Sequence, residues 1–226
     1  MNNLLLVASM IAVFSLLLFV KRFLGREGLI GWIGLATITA NILVTKSVVL
    51  LGMDATLGNV LFASNFLATD MLTENYGYKE AKKGVYFGVF AVVAFLCITQ
   101  VAILFNPSEL DFAQESYLTL FSIMPRITLA SVSLFALSNF VDIKLYEHLR
   151  VKHNGKKMWL RNNVCTIISN GSENFLFYII SFLGAMAISD IVWMAVSATI
   201  IEVIIALCDT PFLYLSKMIG KKRANA

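Results

Sequence analysis

Long apolar runs separated by short polar connections make up most of this chain. An α-helix needs about 20 mainly apolar residues to cross the hydrocarbon core of a bilayer. Four runs approach this length with few polar positions, and three more carry polar residues inside them. The clear runs are residues 4–20, 29–51, 84–105 and 191–214, and the polar ones are 56–72, 117–140 and 164–187. Because the runs are continuous and not alternating, they predict helices and not a β-barrel, in an all-α, polytopic membrane protein with about seven transmembrane helices.

The amino-acid composition also indicates a membrane protein. Of the 226 residues, 58% are apolar and 14% are charged, and the mean hydropathy is +0.79, far from the averages of soluble domains. No polar stretch is long enough to form a second domain. We therefore expect one transmembrane domain over residues 1–226.

Basic residues are distributed unevenly among the connections. The first run follows an uncharged leader, and Lys21, Arg22 and Arg26 come after it. We therefore expect it to remain as an anchor and not to be removed as a signal peptide. Sixteen of the 18 Lys and Arg residues lie after the first, third and fifth predicted helices or in the C-terminal tail. The charged residues of the other connections are all acidic. The positive-inside rule then predicts an external N-terminus and a cytoplasmic C-terminus.

The remaining chemistry excludes several classes of function. The net charge of +4 comes from short loops beside anionic lipid headgroups, so no nucleic-acid partner is implied. Cys97, Cys165 and Cys208 fall in three different predicted helices and are expected to be small buried thiols. Because the sequence has no metal-ligand spacing, Gly-rich phosphate loop or Ser-His-Asp pattern, we expect no catalytic residue, metal or cofactor.

Six charged side chains fall inside predicted helices. A charge at the centre of a bilayer costs about 2.5 to 3.5 kcal/mol, so these residues are expected to face the bundle interior and to pair or bind there. The six are Lys46, Asp70, Arg126, Glu173, Glu202 and Asp209. Glu202 and Asp209 are seven residues apart, and Asn170 and Glu173 are three apart, so each pair shares one helix face.

Purely structural roles stay open for these residues. The candidate ion pairs that would only fix helix register are Asp70 with Arg126 and Glu173 with Lys46. Asn41 and Asn65 suit interhelical hydrogen bonds as well as ligand contact. Their place in a binding site is therefore one of two interpretations.

Two further residues are expected to shape helix ends. Pro125 lacks a backbone N–H, so it should kink or break the fifth helix and free carbonyl groups there. Glu74 precedes the basic segment 79–83 and is expected to end the third helix in water.

Three sequence blocks occur in an order and spacing that carry a family resemblance. They are FLATDMLTENYG followed by KEAKK, then RITLASVSLFALSNFVDIKLYEHLR, then TIISNGSENFLFYIISFLG. Together they resemble the queuosine precursor transporter family, which is grouped among the vitamin uptake transporters. The resemblance covers about residues 37–219.

The resemblance implies a multi-pass importer in the bacterial inner membrane. Its substrates would be 7-deazaguanine bases: the cyano and aminomethyl queuosine precursors preQ0 and preQ1, or salvaged queuine for tRNA modification. The fold is expected to be similar to the small substrate-binding subunits of vitamin importers. Residues 1–27 would then form an extra helix before a six-helix core at 28–219.

The resemblance also implies site residues. Asp70, Arg126, Asn170 and Glu173 match polar positions of the family, although an aspartate is usual where Glu173 stands. A guanine-like edge offers two adjacent N–H groups to a carboxylate, its O6 accepts from a donor, and an aromatic ring can stack on its face. The predicted binding residues are Asn41, Lys46, Asn65, Phe66, Asp70, Arg126, Asn170, Glu173, Glu202 and Asp209, in a pocket near the midplane.

The main alternative is a substrate-capture subunit that serves an ATP-driven importer of another vitamin. An intramembrane protease needs a Gly-rich segment at one of its aspartates, and the segments around Asp70 and Asp209 lack one. A homodimer is the assembly we expect, with the lipid bilayer and a small-molecule substrate as partners.

Overall fold

The computed structural model describes residues 1–122, 124–184 and 186–223, except for the side chains of residues 124–127, 130, 181, 182 and 220–223. The described chain is almost entirely helical, as predicted, with one two-stranded sheet. The elements are α1 (Asn2–Leu43), β1 (Ser47–Leu50), β2 (Met53–Thr56), α2 (Asn59–Tyr76), α3 (Tyr78–Ala102), α4 (Gln114–Phe121), α5 (Met124–Lys152), α6 (Met158–Phe182) and α7 (Ile188–Arg223).

Helix α1 consists of two halves that fold back on each other. Gly25 separates them with φ 65° and ψ −135°, a conformation outside the helical region. The side chain of Asn2 donates to the carbonyl of Val49 over 3.2 Å, so the start of α1 lies beside the hairpin that follows its end. The two halves correspond to the first two helices that the sequence predicts.

A β-hairpin replaces the predicted end of the second helix and the start of the third. Strands β1 and β2 are antiparallel with Leu50 opposite Met53, so Leu51 and Gly52 form a two-residue turn. Both turn residues have positive φ, 53° and 81°, as hairpin turns of the primed type require. The helical prediction was wrong for residues 44–51 and 56–58, and Lys46 consequently lies in an exposed connection before β1 and not inside a transmembrane helix.

Helix α2 lies at the centre of the bundle. Its residues 63–74 are all buried, and α1, α3, α5 and α7 pack around it. Small side chains such as Ala63, Ser64 and Ala68 permit this close approach. A helix that carries several polar side chains is therefore shielded from the exterior.

The predicted interruption of the fifth helix is observed as a break between two helices. Helix α4 ends at Phe121 and α5 begins at Met124, with Pro125 in its first turn. The side chain of Gln100 in α3 donates to the carbonyl of Phe121 over 2.8 Å. A carbonyl at the broken helix end is thus satisfied by a neighbouring helix, as an apolar environment requires.

The outer surface of the bundle is apolar. Large side chains such as Phe19, Phe23, Phe90 and Ile98 are more than half exposed, while carboxylates are buried inside. In the described chain, α1, α3 and the segment Ile188–Ile219 of α7 are long and apolar enough to cross a membrane. An apolar exterior around a polar interior is the arrangement expected of a membrane protein.

The fold at Gly25 can be tested by substitution. A side chain is strained at its positive φ, so Gly25→Ala should lower the free energy of unfolding by about 1 to 3 kcal/mol. Gly31→Ala is the matched control, because Gly31 is helical and a Cβ there meets nothing within 4 Å. The control should be neutral or slightly stabilising. Equal effects of the two changes in denaturant titrations in detergent would contradict this account of the turn.

Candidate functional site

A cavity lies between α2, α5, α6 and α7 at the end of the bundle that carries the hairpin. About 460 Å³ of space lies between its walls, including space open to the exterior, and about 30 Å³ of it is accessible to the centre of a water-sized sphere. One wall is aromatic, formed by Phe62, Phe66, Phe177 and Tyr178. Phe62 and Phe66 are four residues apart in α2 and therefore share a face.

A polar wall adjoins the aromatic residues. One face of α6 carries Asn170, Glu173 and Asn174 beside Phe177, and Glu202 lines the cavity from α7. All of these side chains line the cavity, and Glu173 also lines a mainly apolar groove between α5 and α6.

Hydrogen bonds orient both carboxylates of the polar wall. Glu202 accepts from the amide of Asn174 over 2.7 Å, and Glu173 accepts from the hydroxyl of Ser138. A carboxylate has about four acceptor positions, so each retains capacity for a ligand. The side-chain oxygen of Asn170 is buried without a partner among the described residues. The wall thus offers mainly acceptors, with amide donors beside them.

A second polar group lies deeper in the bundle, toward the basic end. Asp70, Asp142 and Asp209 are at most 1% exposed, and Asp142 and Asp209 are close enough to Asp70 to interact with it electrostatically. The amide of Asn162 donates to Asp209 over 2.8 Å, while neither oxygen of Asp70 has a hydrogen bond within the described part of the chain. We refer to Asp70, Asp142, Asp209, Asn139 and Asn162 as the deep cluster.

An ion-pair network closes the basic end below the deep cluster. Glu74 accepts from Arg161 over 2.6 Å and from Lys217 over 2.7 Å, and Arg150 approaches it to 3.8 Å. The side chains of Glu74 and Arg161 are 2% and 0% exposed. The expectation that Glu74 ends its helix in water was wrong, because α5, α6 and α7 each bring a cation to it.

The structure brings four of the ten predicted binding residues into the cavity: Phe66, Asn170, Glu173 and Glu202. Asp70 and Asp209 lie together in the deep cluster. Arg126 lies outside the residues whose side chains are described, so its predicted pairing with Asp70 stays a prediction.

The other three predicted residues lie elsewhere. Asn65 donates to the hydroxyl of Thr37 over 3.2 Å, which joins α2 to α1, and Asn41 donates to the Thr37 carbonyl over 2.9 Å. The Asn65 contact matches the interhelical interpretation, whereas the Asn41 contact lies within α1. Lys46 lines a separate, mainly apolar cavity beside the start of α1, while Glu173 bonds to Ser138. The predicted pair between Lys46 and Glu173 was therefore wrong.

Sequence reasoning missed several polar residues that the fold brings inward. Asn174 follows Asn170 by one helical turn, and Asn139 precedes Asp142 by three residues, so spacing could have identified both. Arg161 was grouped with the solvated basic residues, and nothing in its local sequence distinguishes it from them.

The chain is similar to a known protein family over most of its length. Residues 56–216 match a family described as “Putative vitamin uptake transporter”. The chain belongs to this family. It is therefore a transporter and not an enzyme, and its apolar helices identify it as a helical membrane protein. The aromatic and polar walls of the cavity lie within the matched residues, whereas α1 lies before them.

Two relatives refine the comparison with the vitamin uptake transporter family. A Bacillus subtilis (strain 168) protein named “Probable queuosine precursor transporter” is 36% identical over 202 residues, covering 89% of this chain and 88% of the relative. A Haemophilus influenzae protein of the same name is 25% identical over 129 residues, covering 57% of this chain and 52% of the relative. No solved structure matches. The predicted resemblance is confirmed.

The network at the basic end can be tested through Glu74. Glu74→Gln leaves the buried Arg161 without its carboxylate and should cost about 3 to 5 kcal/mol of unfolding free energy. Glu147→Gln removes a half-exposed pair with Arg150 and should cost at most about 1 kcal/mol. Denaturant titration in mixed micelles measures both, and equal costs would contradict the buried network.

Proposed function

We propose that this chain imports 7-deazaguanine bases, the precursors of queuosine or salvaged queuine, across the bacterial inner membrane. The name of the B. subtilis relative supports this substrate class. The observation that carries the proposal is the cavity, because it combines aromatic rings with two hydrogen-bonded carboxylates. A flat, polar-edged base needs both features.

The polar wall suits the edge of a guanine-like base. Such an edge presents the O6 acceptor, then N1–H, then the exocyclic amine. Glu202 accepts one hydrogen bond from Asn174 and keeps acceptor positions that can take the N1–H and the exocyclic amine of this edge. Phe66 supplies an aromatic face on which the base can stack.

The second carboxylate suits the substituent that distinguishes the precursors. An aminomethyl group on the deazapurine ring is cationic at neutral pH, and a cyano group is neutral. Glu173 lies in the same cavity as Glu202 and can pair with that cation. The aminomethyl base and queuine are therefore the preferred substrates in this proposal.

The positions of the cavity and of the ion-pair network suit alternating access. The cavity adjoins the hairpin end, which the charge pattern places outside, and the Glu74 network closes the basic end. This conformation then corresponds to a base received from outside, and opening the basic end would release it. The names of the relatives support a transporter and do not favour the alternative, a capture subunit for another vitamin.

Ligand binding is the first test of the substrate class. A ligand of the folded state raises the thermal midpoint by mass action. We expect the largest rise in detergent with the aminomethyl base and queuine, a smaller one with the cyano base, and none with unrelated vitamins. A rise with another vitamin and none with the deazaguanines would refute the proposal.

Substitution in the polar wall tests the site. Glu202→Gln replaces an acceptor of two N–H groups and should weaken binding of the aminomethyl base by about 10- to 100-fold. Glu173→Gln should weaken binding of the aminomethyl base more than that of the cyano base, because only the former is cationic. Glu115→Gln, in exposed position on α4, is the matched control. Unchanged dissociation constants in both wall variants, measured calorimetrically, would exclude this cavity as the site.

A further inference from the structure

The deep cluster combines buried carboxylates that have no direct ion pair among the described residues. Asp70, Asp142 and Asp209 form no ion pair within the described residues. Burying unpaired carboxylates in an apolar bundle is costly, so such groups are usually paired or bound to a cation. The cluster therefore needs a positive charge from another source.

The neutral members of the deep cluster also present oxygen atoms. The amide nitrogen of Asn139 donates to the Phe135 carbonyl over 2.9 Å, and that of Asn162 donates to Asp209. Both side-chain oxygens are buried without a hydrogen bond among the described residues, as are both oxygens of Asp70 and one of Asp209. The amides are thus held by their nitrogens, and their buried oxygens keep free acceptor capacity.

The buried cations of the described chain neutralise the deep cluster only in part. Arg161 is close enough to Asp70 to interact with it electrostatically, but its guanidinium donates to Glu74 and, over 2.7 Å, to the Lys156 carbonyl. Lys21 is also buried, but it donates to the carbonyl of Ser216. Arg126 lies sixteen residues before Asp142 in α5, which is about 24 Å along the helix axis. Among the described residues, the three carboxylates of the deep cluster therefore exceed the positive charge placed near them.

We propose that the deep cluster binds a small monovalent cation, Na⁺ or a proton. An all-oxygen set of carboxylates and amides suits a hard cation. The described residues contain no group of three or more His, Cys, Asp or Glu side chains placed to hold a metal ion. That finding disfavours a divalent metal, and it leaves a site with one or two carboxylates completed by the amide oxygens of Asn139 and Asn162.

The cation site is linked to the substrate cavity by neighbouring charges. Asp142 is close enough to interact with Glu173, and Glu173 with Glu202. A cation at the deep cluster would therefore alter the electrostatic potential at the proposed base site. This coupling rests on the proposed function, whereas cation binding itself does not.

Other titratable groups surround the deep cluster, and a proton could reside on them instead. They are Glu74 on α2, Tyr146 on α5, Arg161, Cys165 and Glu173 on α6, and Lys217 on α7. Variants of cluster residues are needed to separate their effects from those of the cluster.

Thermal unfolding without substrate tests cation binding directly. The purified protein is heated in NaCl, KCl or choline chloride at equal ionic strength, and at several pH values. If Na⁺ is bound, the midpoint should rise with the logarithm of the Na⁺ concentration in the natural protein, and Asp142→Asn should abolish the rise. If a proton is bound, acidification should raise the midpoint of the natural protein, and Asp142→Asn should flatten the response.

The controls distinguish the cluster from other carboxylates. Asp190→Asn changes an exposed aspartate and should keep the natural response. Asp209→Asn is the second cluster variant if Asp142→Asn does not fold, and binding of radioactive Na⁺ to the natural protein needs no variant. Identical cation and pH responses in the natural protein and the cluster variants, or no response in any of them, would overturn the proposal.

A separate measurement tests coupling to the substrate. The dissociation constant of the aminomethyl base should change at least about 5-fold between Na⁺ and choline, or between two pH values, and the cation affinity should change by the same factor when base is present. Binding of the base without cation dependence would remove the coupling and leave the proposed substrate intact. A cation response without base binding would refute the proposed substrate and leave the cation site intact.

Discussion

The absence of water from the bilayer interior is the constraint on which this structure depends. Polar groups that cannot be solvated by lipid have to be enclosed by the protein. Helix α2 carries Asn65, Thr69, Asp70 and Glu74 through the core, and it is surrounded by α1, α3, α5 and α7. The apolar helices thus separate a polar helix from lipid, and the polar contacts form in the interior of the bundle.

The enclosed polar groups form layers with different properties. Near the hairpin, an aromatic wall leaves empty space beside Glu173 and Glu202. In the middle, the deep cluster contains carboxylate and amide oxygens. At the basic end, Glu74 is neutralised by Arg161 and Lys217. This member of the vitamin uptake transporter family thus contains, within one bundle, a cavity, an excess of negative charge and an end closed by ion pairs.

Sequence reasoning identified the class of protein, the interrupted fifth helix and four residues of the cavity. These three predictions were correct because they rest on local features of the sequence: the length of the apolar runs, the missing N–H of Pro125, and the helical spacing of Asn170 and Glu173. The helix through Lys46 failed because apolar residues with high β-propensity around a Leu-Gly turn also form a hairpin. Periodicity does not distinguish the two where the segment is short.

What the sequence determined by itself is that carboxylates had to lie inside an apolar helical bundle, because the cost of exposing them to lipid is independent of the fold. Which groups meet there was decided only by tertiary structure. Glu74 and Arg161 are 87 residues apart, and each lies in a segment that alone suggests a wetted helix end. They are buried because the bundle places α6 where the long Arg161 side chain reaches Glu74 on α2, and the geometry of helix packing, not local sequence, brings such distant charges together.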